Sequence, residues 1–222
     1  MAFEGRKPAR PLTTAGVNID WVDNHQYLGV WLDSNLRMRE HVQMLEDRVE
    51  ARTNILHSLT RRSDGASHAV RKVFYTHAIR SIIDYSAPCL ILASTANFNK
   101  LERLQNRSLR LILSAPLWTK VLNLRAETHL PAIGERIKAI TAELIVKMSH
   151  SPRPFIPPAR VFAAAERDPA LFTKKTWARD AAAALREADI LETIREKGED
   201  APHPTFAPSH PWRPPLPTTI HD

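Results

Sequence analysis

Between Tyr27 and Met38 the spacing of apolar residues changes once and does not change back. Val17-Asn18-Ile19-Asp20-Trp21 and Tyr27-Leu28-Gly29-Val30-Trp31-Leu32 are short β-rich runs, and the polar Asp23-Asn24-His25-Gln26 between them predicts one hairpin. Asp33-Ser34 supplies a helix N-cap signal, and from Met38 onward the apolar period becomes about 3.6. A single small β element ahead of a long series of helices restricts the chain to a mainly α fold. The expected architecture is a short N-terminal β-hairpin leading into an α-helical bundle, then a proline-rich linker, one further helix and an extended tail.

Residues 34–149 read as helical throughout. Met38, Val42, Leu45, Val49, Leu56 and Leu59 recur at helical spacing, with Glu40, Glu46, Asp47, Arg48 and Glu50 elsewhere around the wheel. Asp64-Gly65 breaks the chain before a second helix from Ala66 to about Ser86. Pro88 should end or restart helix, because proline removes a donor and clashes with the preceding turn. Thr95 is placed to cap a third helix, Asn97 to Leu113, which Pro116 terminates. A short segment follows near Val121 to Glu127. Leu130-Pro131 then opens a last core helix carrying Ile133, Ile137, Ile140, Leu144 and Met148.

Proline marks the boundary beyond this bundle. Twelve of the 17 prolines lie after residue 150, in stretches with neither helical nor strand periodicity. The expected units are a hairpin over 1–33, a helical bundle over 34–150 and a proline-rich linker over 151–173. One more helix is expected over 174–198, ahead of a disordered proline-rich tail over 199–222. A single cysteine, Cys89, rules out an intramolecular disulfide framework and reads as a small core residue among Leu90, Ile91 and Leu92. No apolar stretch stands behind the polar, basic Met1 to Arg10, and the run from Ala78 to Leu92 is broken by Asp84 and Pro88. The chain is therefore expected to be intracellular, with no membrane partner.

Charge narrows the function. Residues 51–110 hold 10 basic and 3 acidic side chains, so the whole formal excess of +7 sits in that segment. A localised positive field attracts a polyanion. Within the third helix, Lys100, Arg103, Arg107 and Arg110 fall at offsets of three, four and three, which is one helical face. At 1.5 Å rise that stripe spans about 15 Å, enough to meet roughly four phosphates. Gln105, Asn106 and Ser108 are short neighbours suited to phosphate or sugar rather than to base edges. Arg52, Arg61, Arg62, Arg71, Lys72 and Arg80 are candidates to extend the surface. The competing reading is a solvated face whose arginines pair with acidic residues of the first long helix.

Other chemistries are not supported. No G-x-x-x-x-G-K-[ST] or G-x-G-x-x-G occurs, so there is no phosphate-cradling loop and no small-molecule substrate is expected. No H-E-x-x-H and no cysteine pair suggests zinc, and the ten histidines are scattered. Catalytic and metal-ligating residues are thus expected to be none. Tyr85 and Trp118 could stack on bases, although aromatic residues at helix ends in a bundle are more often core or interface.

Several blocks in order carry a resemblance. They are Ile19-Asp20-Trp21-Val22; the Tyr27 to Leu32 run with Asp33, Leu36 and His41; and Ile79 to Tyr85. Lys100-Leu101, Leu104-Gln105-Asn106-Arg107 and Leu109-Arg110-Leu111-Ile112 follow, then Ala115-Pro116, and Leu130-Pro131-Ala132-Ile133 with Arg136. Over roughly residues 10–150 this resembles the palm-to-thumb junction of non-LTR (LINE-type, jockey-like) retrotransposon reverse transcriptases. The resemblance implies an RNA-directed DNA polymerase whose Mg²⁺ is held by palm carboxylates, including an Asp-Asp turn. No Asp-Asp pair occurs here, so no catalytic residue and no cofactor carries over. It implies instead a thumb and connector, cut away from palm and fingers, that grips an RNA/DNA template–primer, with Lys100, Arg103, Arg107 and Arg110 as backbone contacts. A catalytically inert helical interaction module and a non-functional transposon relic are the alternatives.

Overall fold

The computed structural model describes residues 12–60, 65–149 and 177–190. Its element order is mainly α, as expected, with two small β-hairpins ahead of the helices. The first hairpin pairs β1 (Leu12–Thr14) with β2 (Val17–Ile19), and the second pairs β3 (Asn24–Tyr27) with β4 (Val30–Asp33), both antiparallel. This corrects the single hairpin expected from sequence. The polar Asn24-His25-Gln26 lies in a strand, while Leu28-Gly29, inside the apolar run, is a turn. Both turns place two central residues at positive φ: Ala15 and Gly16 at 50° and 79°, Leu28 and Gly29 at 47° and 81°. Such mirror-image turns match the twist of two-residue hairpins, and glycine supplies one of the two positions without steric cost. Leu28 is held in its unfavourable conformation by Tyr85, whose hydroxyl donates to the Leu28 carbonyl at 2.8 Å.

Asp33 organises the entry to the bundle without being the N-cap itself. Its carboxylate accepts the backbone N–H groups of Asn35 (3.1 Å), Arg37 (2.9 Å) and Arg39 (3.4 Å). The residue at the cap of α1 (Arg39–Ser58) is Met38, left-handed at φ 57° and buried. The next helical run has three parts: α2 (His68–Phe74), a π-helical stretch (Tyr75–Arg80) and α3 (Ser81–Leu90). The wider π turn coincides with hydroxyls bonded back to the preceding turn, Thr76 to the carbonyls of Lys72 and Val73 and Ser81 to that of His77.

Pro88 lies inside α3, where helix was expected to end or restart. Only one residue pair of helix follows it, Cys89 and Leu90, so the lost donor falls in the final turn. The neighbouring Ala87 and Leu90 are fully buried, and Trp177 Nε1 donates to the Pro88 carbonyl at 2.8 Å. Helix α4 (Thr95–Leu113) is capped one residue earlier than expected, by Ser94, whose hydroxyl accepts the Asn97 N–H at 3.3 Å. Helices α5 (Val121–Thr128), α6 (Ile133–Ser149) and α7 (Trp177–Glu187) complete the described elements. The proline-rich linker and the tail lie outside the described residues, as do the flanks of the expected helix 174–198.

The core forms where α1 packs along α4 and α3 packs along α6. Val42, Leu45, Val49 and Leu56 meet Leu101, Leu109 and Ile112, with Ile79, Ile83, Leu90, Ile133 and Ile137 closing the other side. Fully burying each such side chain contributes roughly 1.5–3 kcal/mol. A smaller cluster seats α7 on α6 through Ala142 and Ile145 against Ala181, Ala182 and Leu185. Cys89 is half-buried against the main core, and burial pushes its thiol pKa up, which keeps it protonated. Among the described residues no helix is long and apolar enough to cross a membrane.

His41 ties the second hairpin to α1. Its Nδ1 accepts the Trp31 N–H at 3.4 Å, and the residue is 1% exposed. Burial, then the nearby Arg48 charge, lowers its pKa from 6.5 to about 4, so the ring is neutral near pH 7. Since the folded value lies below the unfolded one, the unfolded chain takes up a proton first as pH falls. The contribution of neutral His41 is complete above pH 6.5 and drains between there and about 4, a loss of about 3 kcal/mol. Urea midpoints measured across that window should fall more steeply for the wild-type chain than for His41→Gln. Parallel curves would contradict the assignment.

Candidate nucleic-acid interface

Two faces of α4 are set by different chemistry. The inner face buries Asn97, Leu101, Gln105, Ser108, Leu109 and Ile112. Gln105 is the polar lock of that face: its Oε1 accepts the Tyr75 hydroxyl at 2.8 Å and its Nε2 donates to the Pro131 carbonyl at 2.8 Å. Tyr75 is itself 1% exposed, and burial drives its pKa strongly upward. Asn97 adds a second tie at the helix start, donating to the Arg37 carbonyl at 3.1 Å. With about 100° between successive residues, Arg103, Arg107 and Arg110 must then point away from the core.

The structure divides the four expected phosphate contacts into three situations. Lys100, half-buried, donates to Glu46 at 3.2 Å, and Arg107 reaches Glu50 at 3.1 Å with both side chains about 55% exposed. These two cations lean toward α1, as the solvated-face reading anticipated. Arg110 is half-buried and bonds only to carbonyls: NH1 to Asn106, NH2 to Leu117 and Thr119. Among the described residues it has no carboxylate partner. Arg103 is exposed and has no hydrogen bond or ion pair there either. Glu102, the one acidic residue of the helix, is committed elsewhere, to Arg125 at 2.8 Å and the Gly134 N–H at 3.1 Å.

A cleft runs along this outer face. Its floor is Arg103, Asn106, Arg107 and Arg110 of α4; one wall is His57 and Thr60 at the end of α1, and the other is Leu117 and Val121 leading into α5. The volume is about 700 Å³, and Asn106 Oδ1 is buried there without a partner among the described residues. Three guanidinium groups line the cleft and, among the described residues, no carboxylate does; Glu50 reaches Arg107 from outside the lining, so the cleft is cationic. Lys100 does not line it, so the stripe is brought together as three residues with the fourth beside them.

Several proposed extensions are not surface groups. Arg71 is buried, its NH1 donating to the Leu111 carbonyl (2.7 Å) and Ser114 Oγ (2.8 Å), which caps the C-terminus of α4. Arg80 is 6% exposed beside Asp84, which also receives both Nε and NH2 of Arg136. Burial lowers the Arg80 pKa and Asp84 opposes that shift. Arg52 and Lys72 are half-buried outside the cleft lining, and Arg61 and Arg62 lie outside the described residues. Neither aromatic candidate is in the core: Tyr85 is 67% exposed on the Leu28-Gly29 turn, and Trp118 is 85% exposed beside the cleft. Among the described residues no group of three or more His, Cys, Asp or Glu is arranged to hold a metal ion.

Sequence comparison finds three similar proteins. The chain is 26% identical over 132 residues to the "Probable RNA-directed DNA polymerase from transposon BS" of Drosophila melanogaster, covering 60% of this chain. It is 23% identical over 141 residues to the RNA-directed DNA polymerase from mobile element jockey of Drosophila funebris, covering 64%. The jockey polymerase of Drosophila melanogaster is 20% identical over 128 residues, covering 58%. In each case the match spans only 14–15% of the relative's own length. No protein-family model and no solved structure matches the chain. Over about three-fifths of its length the chain is therefore similar to RNA-directed DNA polymerases of transposable elements, jockey among them, in keeping with the resemblance carried by its sequence blocks.

Proposed function

We propose that this helical bundle serves as the nucleic-acid-holding thumb and connector of a retrotransposon reverse transcriptase, gripping an RNA/DNA template–primer by its phosphates. The observation that carries this reading is the cleft: three guanidinium groups from one α4 face open onto it, and only Arg107 of the three has a carboxylate partner, Glu50, among the described residues. Arg103 to Arg110 spans about 10 Å of helix, or about three phosphate spacings along one strand. The Arg107–Glu50 pair does not argue against it. Pairs this exposed contribute about 0.2–1 kcal/mol, so a phosphate can displace Glu50 at small cost. Lys100, half-buried with Glu46, is held more firmly and acts at the margin.

In this reading the bundle supplies no catalytic group and no metal ligand. The Mg²⁺-binding carboxylates that in-line displacement requires belong to a palm, and the exposed hairpins are the natural junction with it. The inert interaction-module reading draws its support from the Lys100–Glu46 and Arg107–Glu50 pairs, which neutralise half of the stripe.

Fluorescence-anisotropy titrations separate the two. Replacing Arg103 and Arg107 together by alanine should lower the slope of log K against log[salt] by about 2 on nucleic acid. An unchanged slope, or no salt-dependent binding by the wild-type chain, would remove the proposal. Glu50→Gln acts in the opposite direction. Freed from its carboxylate, Arg107 should raise affinity by about 1.5- to 5-fold; weaker binding would show that Glu50 supports the site rather than competing for it.

A further inference from the structure

From Leu117, which lines the cleft, an exposed apolar patch that the phosphate reading leaves unused continues along the chain. Leu117 and Trp118 are each 85% exposed and Leu122 is 76% exposed. Their loop is not loose. Thr119 N–H donates to the Pro116 carbonyl at 3.1 Å, Ala115 N–H to the Arg110 carbonyl at 2.9 Å, and Arg110 NH2 grips the carbonyls of Leu117 and Thr119 at 3.3 Å. Those last two carbonyls flank Trp118 on either side. One arginine of the cleft floor therefore fixes the backbone that displays the indole. A large apolar ring kept in water on a braced loop marks a contact surface rather than unfilled core.

We propose that this patch stacks on an unpaired base, so that the cleft takes a single-stranded segment of nucleic acid, with Trp118 on a base face and Arg103 and Arg107 on the flanking phosphates. The inference rests on the reading of the cleft as a nucleic-acid site and specifies its ligand. Its occupant must be anionic along the α4 floor and flat and apolar along the 117–122 patch, because Leu117 lines the cleft together with the arginines. A duplex offers phosphates but hides its base faces within the stack. A single strand offers both, and aromatic stacking on bases is tolerant of sequence. An acidic peptide would match the floor but gives the indole no flat partner. An anionic membrane would need the basic groups and the apolar loop on one convex surface, whereas here the arginines lie within a cleft.

The test uses the whole chain, a short fluorescein-labelled oligothymidylate and a blunt hairpin duplex, each titrated at several salt concentrations. The single strand should bind more tightly than the duplex. Trp118→Ala should weaken single-strand binding about 5- to 100-fold, the loss of one stacked base. It should leave the salt slope and duplex binding unchanged, and Trp118→Phe should recover most of the loss. Since the side chain is 85% exposed, thermal melts of the variants should overlay the wild-type curve. If both probes bind with salt dependence and Trp118→Ala changes neither, the stacking proposal falls while the phosphate cleft stands. If neither probe binds, both fall. Trp118-dependent binding to phosphatidylserine vesicles without single-strand preference would also overturn it.

Discussion

The Gln105 side-chain amide sets the angle at which α4 is presented, and much of the molecule depends on that angle. A buried amide that both accepts from Tyr75 and donates to the Pro131 carbonyl cannot rotate without orphaning two polar groups, at about 1–3 kcal/mol each. Apolar contacts alone would tolerate some rolling of the helix, because leucine and isoleucine repack with small loss. The amide does not. It joins the π-helical stretch, α4 and the start of α6 through one side chain, and the arginine face is outward because Gln105 is inward.

That outward face is a compromise between folding and binding. Left without partners, three or four cations on one helix would repel each other. Glu46 and Glu50 relieve this at one edge, and backbone carbonyls solvate Arg110 at the other. Carbonyls satisfy the donors of a guanidinium without cancelling its charge, so Arg110 can brace the 117–119 loop and still contribute to the field in the cleft. Of the four stripe cations, only Arg103 stands uncommitted among the described residues. The cleft is thus assembled from groups whose present partners are either weak or uncharged.

Much of this was legible from residue order. Helical periodicity located α1, α4 and α6 to within a few residues, and offsets of three and four put Lys100, Arg103, Arg107 and Arg110 on one face. What was not legible required tertiary geometry. Leu28-Gly29 was hidden in an apolar run because leucine is not a turn former, and its conformation leans on Tyr85, 57 residues away. Pro88 reads locally as a stop or restart, yet with buried neighbours and Trp177 against it the helix runs two residues past it. Arg71 and Arg80 look like Arg103 in sequence, and only packing shows that they serve a helix C-terminus and Asp84. Ser94 instead of Thr95 as the cap is a one-residue choice between two hydroxyls, of which serine is the slightly better capper. Trp118 was visible as a stacking candidate, but its exposure and the arginine brace beneath it were not.

The central claim is that the arginine face of α4 is the surface a nucleic acid touches. Side-chain NMR reads this most directly, through the Nε–Hε resonances of individual arginines during titration with an oligonucleotide. The account predicts that Arg103 and Arg107 shift first and saturably, Arg110 with them, while Arg71, Arg80 and Arg136, tied up in the fold, stay in place. Uniform small shifts over all arginines, or shifts confined to residues outside the cleft, would contradict it.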